Sequence, residues 1–230
     1  MAQQQVRTST IEVEYNSLRV SGHLCRPAGE GKRPAVVVIQ EWWGVEPHIK
    51  DIAERLAREG FVALAPDLYH GTVTGEPDEA GKLMMALDQE QAVKEITAAV
   101  AYLKSQPYSN GKVATVGYCM GGGLSIATAC SARELDAAVN YYGVNPEPAD
   151  RLAGVRCPVL ALYAGADGFV PISSASVLSE VLEKNGVPYE AHIYGGAPHA
   201  FFNDTREAYR KEAAEDAWQR TLAFFRRHLG

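Results

Sequence analysis

Cysteine is scarce in this chain. Cys25, Cys119, Cys130 and Cys157 are the only four in 230 residues, far apart and without a CxxC pair. That spacing excludes a disulfide framework and a cysteine zinc site, so reduced thiols and a cytoplasmic location are the expectation. Long apolar runs are missing as well. None approaches the ~20 residues that a membrane-spanning helix requires, and the start, Met1-Ala2-Gln3-Gln4-Gln5-Val6-Arg7, carries no apolar export segment. Basic clusters are absent from a chain of net charge -6, which argues against a nucleic-acid surface. The pair Arg226-Arg227 falls in the last turn of a helical pattern, where cations complement the helix dipole. No low-complexity tract, no repeat of 20–50 residues and no linker-like stretch divides the sequence. What is present is 47% hydrophobic and 22% charged residues, enough to exclude disorder and to build one large core.

The apolar pattern alternates between strand and helix. Thr10–Tyr15 and Leu18–Cys25 read as two strands joined at Asn16-Ser17. Ala35–Gln40, Phe61–Ala65, Lys112–Gly117, Leu135–Tyr142 and Pro158–Tyr163 are short apolar runs of the kind buried on both faces of a parallel sheet, and Tyr189–Tyr194 reads as a last strand. Between them lie helical patterns. One opens at Pro47 and stops at Gly60, and a long one runs from about Asp78 to Gln106 with Asp88 as the place for a break. Others cover Gly121–Ala132 and Ser173–Lys184, and the last covers Thr205–Leu229, with Tyr209, Ala213, Trp218, Leu222 and Phe225 as its apolar stripe. The expected architecture is one α/β domain over residues 1–230, with a mostly parallel sheet, helices on both faces and an antiparallel N-terminal hairpin.

Ligand sites in such sheets form at the carboxyl ends of the strands. At one such end stands Gly117-Tyr118-Cys119-Met120-Gly121, a G-x-S-x-G nucleophile elbow with cysteine in place of serine. The glycines leave room for a sharp strand-to-helix turn. The start of a helix is a place that lowers a thiol's pKa and offers a backbone N–H to an oxyanion. A nucleophile needs a base, and the base an orienting acid. Asp167 follows the strand Pro158–Tyr163, and His199 follows the final strand in Gly195-Gly196-Ala197-Pro198-His199. The order Cys119, Asp167, His199 is nucleophile, acid, base. Taken singly, each has a plain structural alternative: a small buried thiol, a turn aspartate, a loop histidine. Glu41, in Gln40-Glu41-Trp42-Trp43-Gly44, occupies the loop that donates the second oxyanion N–H in enzymes built this way. A carboxylate beside two tryptophans has its charged form disfavoured unless a partner holds it, and its alternative is a solvated loop residue. His23, His48, His192 and His228 lie inside elements, Asp67 has the position of a turn residue, and Cys25, Cys130 and Cys157 read as packing residues.

These residues resemble the dienelactone hydrolase (carboxymethylenebutenolidase) family, the cysteine branch of the α/β-hydrolases. The segments that carry the resemblance are Gln40-Glu41-Trp42-Trp43-Gly44, Ala65-Pro66-Asp67-Leu68-Tyr69, Gln106 to Val113, Val116 to Gly122, and Tyr141-Tyr142-Gly143-Val144. The resemblance extends from about residue 8 to the end of the chain. It implies an α/β-hydrolase fold and hydrolysis of lactones or esters, with Cys119 acylated and His199, oriented by Asp167, managing protons. It implies further that Glu41 assists the thiol, that the N–H groups of Trp42 and Met120 form the oxyanion hole, and that Tyr141 lines the pocket. No metal or cofactor is implied. The expected partner is a small ester or lactone, with no nucleic acid or membrane, and the expected state is a monomer or weak homodimer. The sequence departs from the family at two positions. Where arginines grip the substrate carboxylate in well-known members, the stretch Gly75 to Gly81 has none and the second position is Asn203. A second class of function stays open at this point: a non-catalytic member of the fold that binds a ligand or senses oxidants through Cys119.

Overall fold

The computed structural model describes residues 5–16 and 18–230. Two long strands, β1 (Val6–Tyr15) and β2 (Leu18–Pro27), pair antiparallel from Val6 opposite Pro27 to Tyr15 opposite Leu18. Asn16 turns the chain with φ 47°. Ser17, the other residue expected in this turn, lies outside the described residues. The remaining strands are β3 (Arg33–Ile39), β4 (Val62–Pro66), β5 (Ser109–Tyr118), β6 (Ala137–Tyr141), β7 (Val159–Ala164) and β8 (Tyr189–Tyr194). They form one sheet in the order β1-β2-β4-β3-β5-β6-β7-β8. Pairing is antiparallel at β1–β2 and β2–β4 and parallel from β4 onward.

Alternation along the parallel strands decides which helices cover which face. In β3, Val36 and Val38 join the apolar cluster under α1 (Pro47–Arg58) and α6 (Lys211–Leu229). Ala35, Val37 and Ile39 join the opposite cluster, under α3 (Gln89–Ser105), α4 (Met120–Ser131) and α5 (Ser173–Lys184). Helix α1 starts at Pro47, whose missing N–H no first-turn residue needs. It stops at Gly60 (φ 96°), where Gly60 N–H bonds Ala57 and Phe61 N–H bonds Leu56. No helix among the described residues is long and apolar enough to cross a membrane.

The long helical stretch is two helices, α2 (Pro77–Ala86) and α3. They break where Asp88 caps α3, its Oδ1 accepting the N–H groups of Glu90 and Gln91 at 2.9 and 3.0 Å. The last helix starts six residues later than its apolar pattern suggests. Residues 205–210 stay outside the helix because the N–H groups that a helix begun at Thr205 would direct to the carbonyls of Thr205 and Arg206 go elsewhere: Tyr209 N–H to the Arg206 carbonyl and Arg210 N–H to the Phe201 carbonyl. Tyr209, expected in the helix, therefore packs against the core from a loop. The segment after β4 crosses the mouth of the sheet and leans on the loop after β3. Thr74 N–H bonds the Trp43 carbonyl at 3.1 Å, and a Cβ on Gly44 would come within 2.5 Å of the Thr72 carbonyl.

Candidate active site

Five neighbouring strand ends meet at one place. Cys119 sits between β5 and α4 with φ 55° and ψ -119°, a backbone state that costs an L-residue about 1–3 kcal/mol. The surroundings hold it there. Cys119 N–H donates to the Tyr141 carbonyl at 3.1 Å, and the N–H groups of Gly122 and Gly123 return to the Cys119 carbonyl at 3.0 and 3.4 Å. The glycines are compulsory for a packing reason. A Cβ on Gly117 would lie 1.8 Å from the Gly121 carbonyl oxygen, and one on Gly121 would lie 2.5 Å from the carbonyls of Ile39 and Gln40. Gly117→Ala is therefore expected to lose more than about 4 kcal/mol of stability, because backbone rather than a flexible side chain must move. Urea denaturation measures it, and a loss below about 1 kcal/mol would show that the turn relaxes freely.

His199 lies five residues past β8. Its Nδ1–H donates to Asp167 Oδ2 at 2.8 Å, and Asp167 Oδ1 accepts the N–H groups of Phe169 and Val170 at 2.8 and 3.0 Å. Both oxygens of this buried carboxylate are thus used to orient one ring, leaving Nε2 with its lone pair. The ring edges of Tyr142 and Phe169 pack against the imidazole at centroid distances of 5.1 and 5.2 Å. The backbone N–H groups of Trp42, after β3, and Met120, at the start of α4, both point at the Cys119 sulfur.

Glu41 is 1% exposed and held by two neutral donors. The Asn203 amide donates to Oε2 at 2.7 Å and the Tyr142 hydroxyl to Oε1 at 3.3 Å. Tyr142 reaches it from a left-handed backbone (φ 41°). Buried Asn140 braces that turn, accepting Gly143 N–H at 2.7 Å and donating to the Gly143 carbonyl at 3.1 Å.

A family model for dienelactone hydrolases matches residues 20–229. The chain belongs to the dienelactone hydrolase family. Among curated relatives, "Protein usf" of Aquifex pyrophilus is 38% identical over 228 residues, covering 95% of this chain and 98% of its own. The carboxymethylenebutenolidase of Pseudomonas putida is 34% identical over 227 residues, covering 94% and 95%. Among solved structures, a dienelactone hydrolase-like promiscuous phosphotriesterase from metagenomic libraries superposes with a TM-score of 0.89 at 24% identity, over 98% of this chain and 99% of the other. At that identity the match speaks for the α/β-hydrolase fold.

Within this family frame, two expectations need correction. Tyr141 does not line the site. It is the last residue of β6 and points under α6, fully buried, its hydroxyl 2.7 Å from Thr221 Oγ1 and its ring against Tyr118 and Phe202. The next residue, Tyr142, is the one at the site. It stands just past its strand, as Glu41, Cys119, Asp167 and His199 do, and that rule applied to β6 finds it. The second correction concerns the thiol. Burial pushes Cys119 up to about 12, the charge of Glu41 and then that of Asp167 push the same way, and the N–H groups of Met120 and Trp42 only partly oppose them. Desolvation outweighs the helix start, so the resting residue is a thiol. Burial likewise raises Glu41 to about 7, helped by nearby Glu46 and opposed by Asn203, Tyr142 and Arg206. In the sequence Asn203 shows only as a missing arginine. Its partnership with Glu41, 162 residues away, leaves no trace in local pattern. Asp67 caps its own turn, accepting from Tyr69 and Gly71.

Proposed function

We propose that this hydrolase cleaves neutral carboxylic esters or lactones through Cys119, Asp167 and His199, with Glu41 taking the thiol proton. The observation that carries the reading is the convergence of the Trp42 and Met120 N–H groups on the sulfur of a strained elbow residue. A substrate carbonyl oxygen placed between those donors gains negative charge as sulfur attacks, and they are already aimed at it. In acylation the thiol hydrogen is replaced by the acyl group, and the leaving oxygen gains one proton. In deacylation water adds OH to the acyl carbon, and His199 Nε2 carries the other hydrogen away for return to sulfur. Asp167 keeps the ring in the tautomer this step needs. A thiol as protonated as Cys119 is a poor oxidant sensor, since oxidation follows thiolate character. That sets the hydrolytic reading above the sensing one.

The surroundings favour an uncharged substrate. Asn203 spends its amide on Glu41. Arg206, the nearby guanidinium, is committed to Glu46 at 3.3 Å and lies over the Trp43 ring at 4.1 Å. Three apolar side chains stand exposed at the mouth: Val73 beside Gly44, Val144 beside Gly123, and Phe169 on His199, 77% exposed. Each lost arginine–carboxylate contact forfeits about 1.5–3 kcal/mol, so two together remove on the order of 10²-fold or more in kcat/KM for an anionic lactone. A neutral aryl acetate is therefore expected to be hydrolysed at least as well as dienelactone, with one acyl group found on Cys119 by mass spectrometry of the quenched reaction. A preference of about 100-fold or more for dienelactone, or an acyl group on any other residue, would contradict the proposal.

A further inference from the structure

The buried contact between Asn203 and Glu41 has a consequence for when the enzyme works. We propose that Asn203 is a positioning residue that governs the ionisation of Glu41 and thereby sets the pH at which the Cys119 thiol is activated. This rests on the reading that Glu41 takes the thiol proton. Asn203 is fully buried, and its orientation is dictated by its neighbours. Its Oδ1 accepts both the N–H and the hydroxyl of Thr205, at 3.0 and 2.6 Å. Its amide hydrogens therefore face Glu41 Oε2 at 2.7 Å and cannot exchange places with the oxygen.

The groups facing Glu41 come from every element around it. Glu46, at the start of α1, repels its charge. Arg206, from the turns before α6, attracts it, but that guanidinium is shared with Glu46. Tyr142, after β6, donates a hydroxyl. Cys119 and Tyr118, from the end of β5, lie close enough for the Glu41 charge to raise both, and Asp167, which holds His199, acts on the same thiol. The direct donors to Glu41 are thus neutral. Two neutral hydrogen bonds and the shared charge of Arg206 oppose its burial, and the carboxyl settles near 7, where a modest change in one donor crosses the working range. A cation at position 203 would keep Glu41 ionised throughout that range, and an anion there would keep it protonated.

The test reads two quantities against pH in the wild type, Asn203→Asp and Asn203→Arg: the acylation rate with a neutral aryl acetate, and the Glu41 carboxyl stretch by infrared difference spectroscopy. The carboxyl band is assigned by its loss in Glu41→Gln. Asn203→Asp keeps the shape and the Thr205 contacts and is expected to move both midpoints up by about 1–2 pH units. Asn203→Arg is expected to move them down by a similar amount. In a Glu41→Gln background neither substitution should move the remaining rate profile. A carboxyl midpoint that stays put in Asn203→Asp while the rate falls would overturn the proposal and leave Asn203 as a packing residue. So would a rate shift that survives in Glu41→Gln. Carboxyl midpoints that move without the rate uphold the hold of Asn203 on Glu41 and instead overturn Glu41 as the proton acceptor. The isosteric Asp variant decides the matter if the larger Arg does not fold.

Discussion

Cys119→Ala is expected to yield a folded protein whose ester turnover falls by about 10⁴-fold or more, to the level that binding and the oxyanion donors alone support. The substitution deletes one sulfur atom. The cavity left behind costs on the order of 1–2 kcal/mol, and alanine fits wherever cysteine's Cβ already fits. The strained backbone at φ 55° is set by Tyr141, Gly122 and Gly123 rather than by the side chain, so the turn remains. The comparison is steady-state turnover of a neutral aryl ester by wild type and variant, with thermal unfolding as the control for folding. Turnover at the wild-type rate in a verified variant would mean that the elbow is a structural turn and that the nucleophile lies elsewhere.

Glu41→Gln is expected to slow acylation by about 10²–10⁴-fold, the usual contribution of a positioned base, because an amide cannot take the thiol proton. The same change should stabilise the fold at alkaline pH. Glu41 titrates at about 7 in the folded chain against an ordinary 4.5, so folding favours its protonated form. The benefit is complete below about pH 4.5 and is lost as pH rises towards and through 7. Above that, burying the charge costs up to about 3 kcal/mol. Glutamine carries no such charge, and its amide has matching contacts: the oxygen accepts from Asn203 and the nitrogen donates to the Tyr142 oxygen. Urea denaturation at pH 5 and pH 8.5 should therefore show the variant gaining on the wild type as pH rises. A gap independent of pH would mean that Glu41 is not buried as a carboxylate, and unchanged single-turnover acylation would remove it from the chemistry. Loss of activity with gain of stability is the usual mark of a site that tolerates an unfavourable group for its function.

The sheet and the elbow are legible in the sequence because both rest on local rules. Runs such as Ala35-Val36-Val37-Val38-Ile39 have no polar face to present, so only a doubly covered strand suits them. Gly117 and Gly121 mark a turn that a Cβ would block. The contact of His199 with Asp167 is legible for a different reason: each stands in the loop after a strand, and neighbouring parallel strands deliver those loops to the same edge of the sheet. Legibility ends where a contact depends on distant partners. Tyr141 and Tyr142 are identical in type and adjacent, and only the end of β6 and the turn braced by Asn140 send one into the core and the other to Glu41. The apolar spacing places the start of α6 too early because Tyr209 keeps the helical period, while the carbonyls of Arg206 and Phe201 claim the N–H groups of Tyr209 and Arg210 that a helix there would need.

The groups of the candidate site hang from β3, β5, β6, β7 and β8, whereas the segment that crosses the mouth, residues 67–88, leaves the sheet at β4 and meets the loop after β3 through Thr72 and Val73 on Gly44, Thr74 on Trp43 and Leu68 on Gln40, with Tyr69 on Met120 beside them. The arch and the strand-end loops are thus separate stretches of chain that meet along a shared seam. Changes on the far side of that seam are therefore expected to alter access to the mouth while the sulfur, the imidazole and the two carboxylates keep their spacing, and changes at Val144, Phe169 and Asn203, on the strand-end loops, to alter what is accepted there.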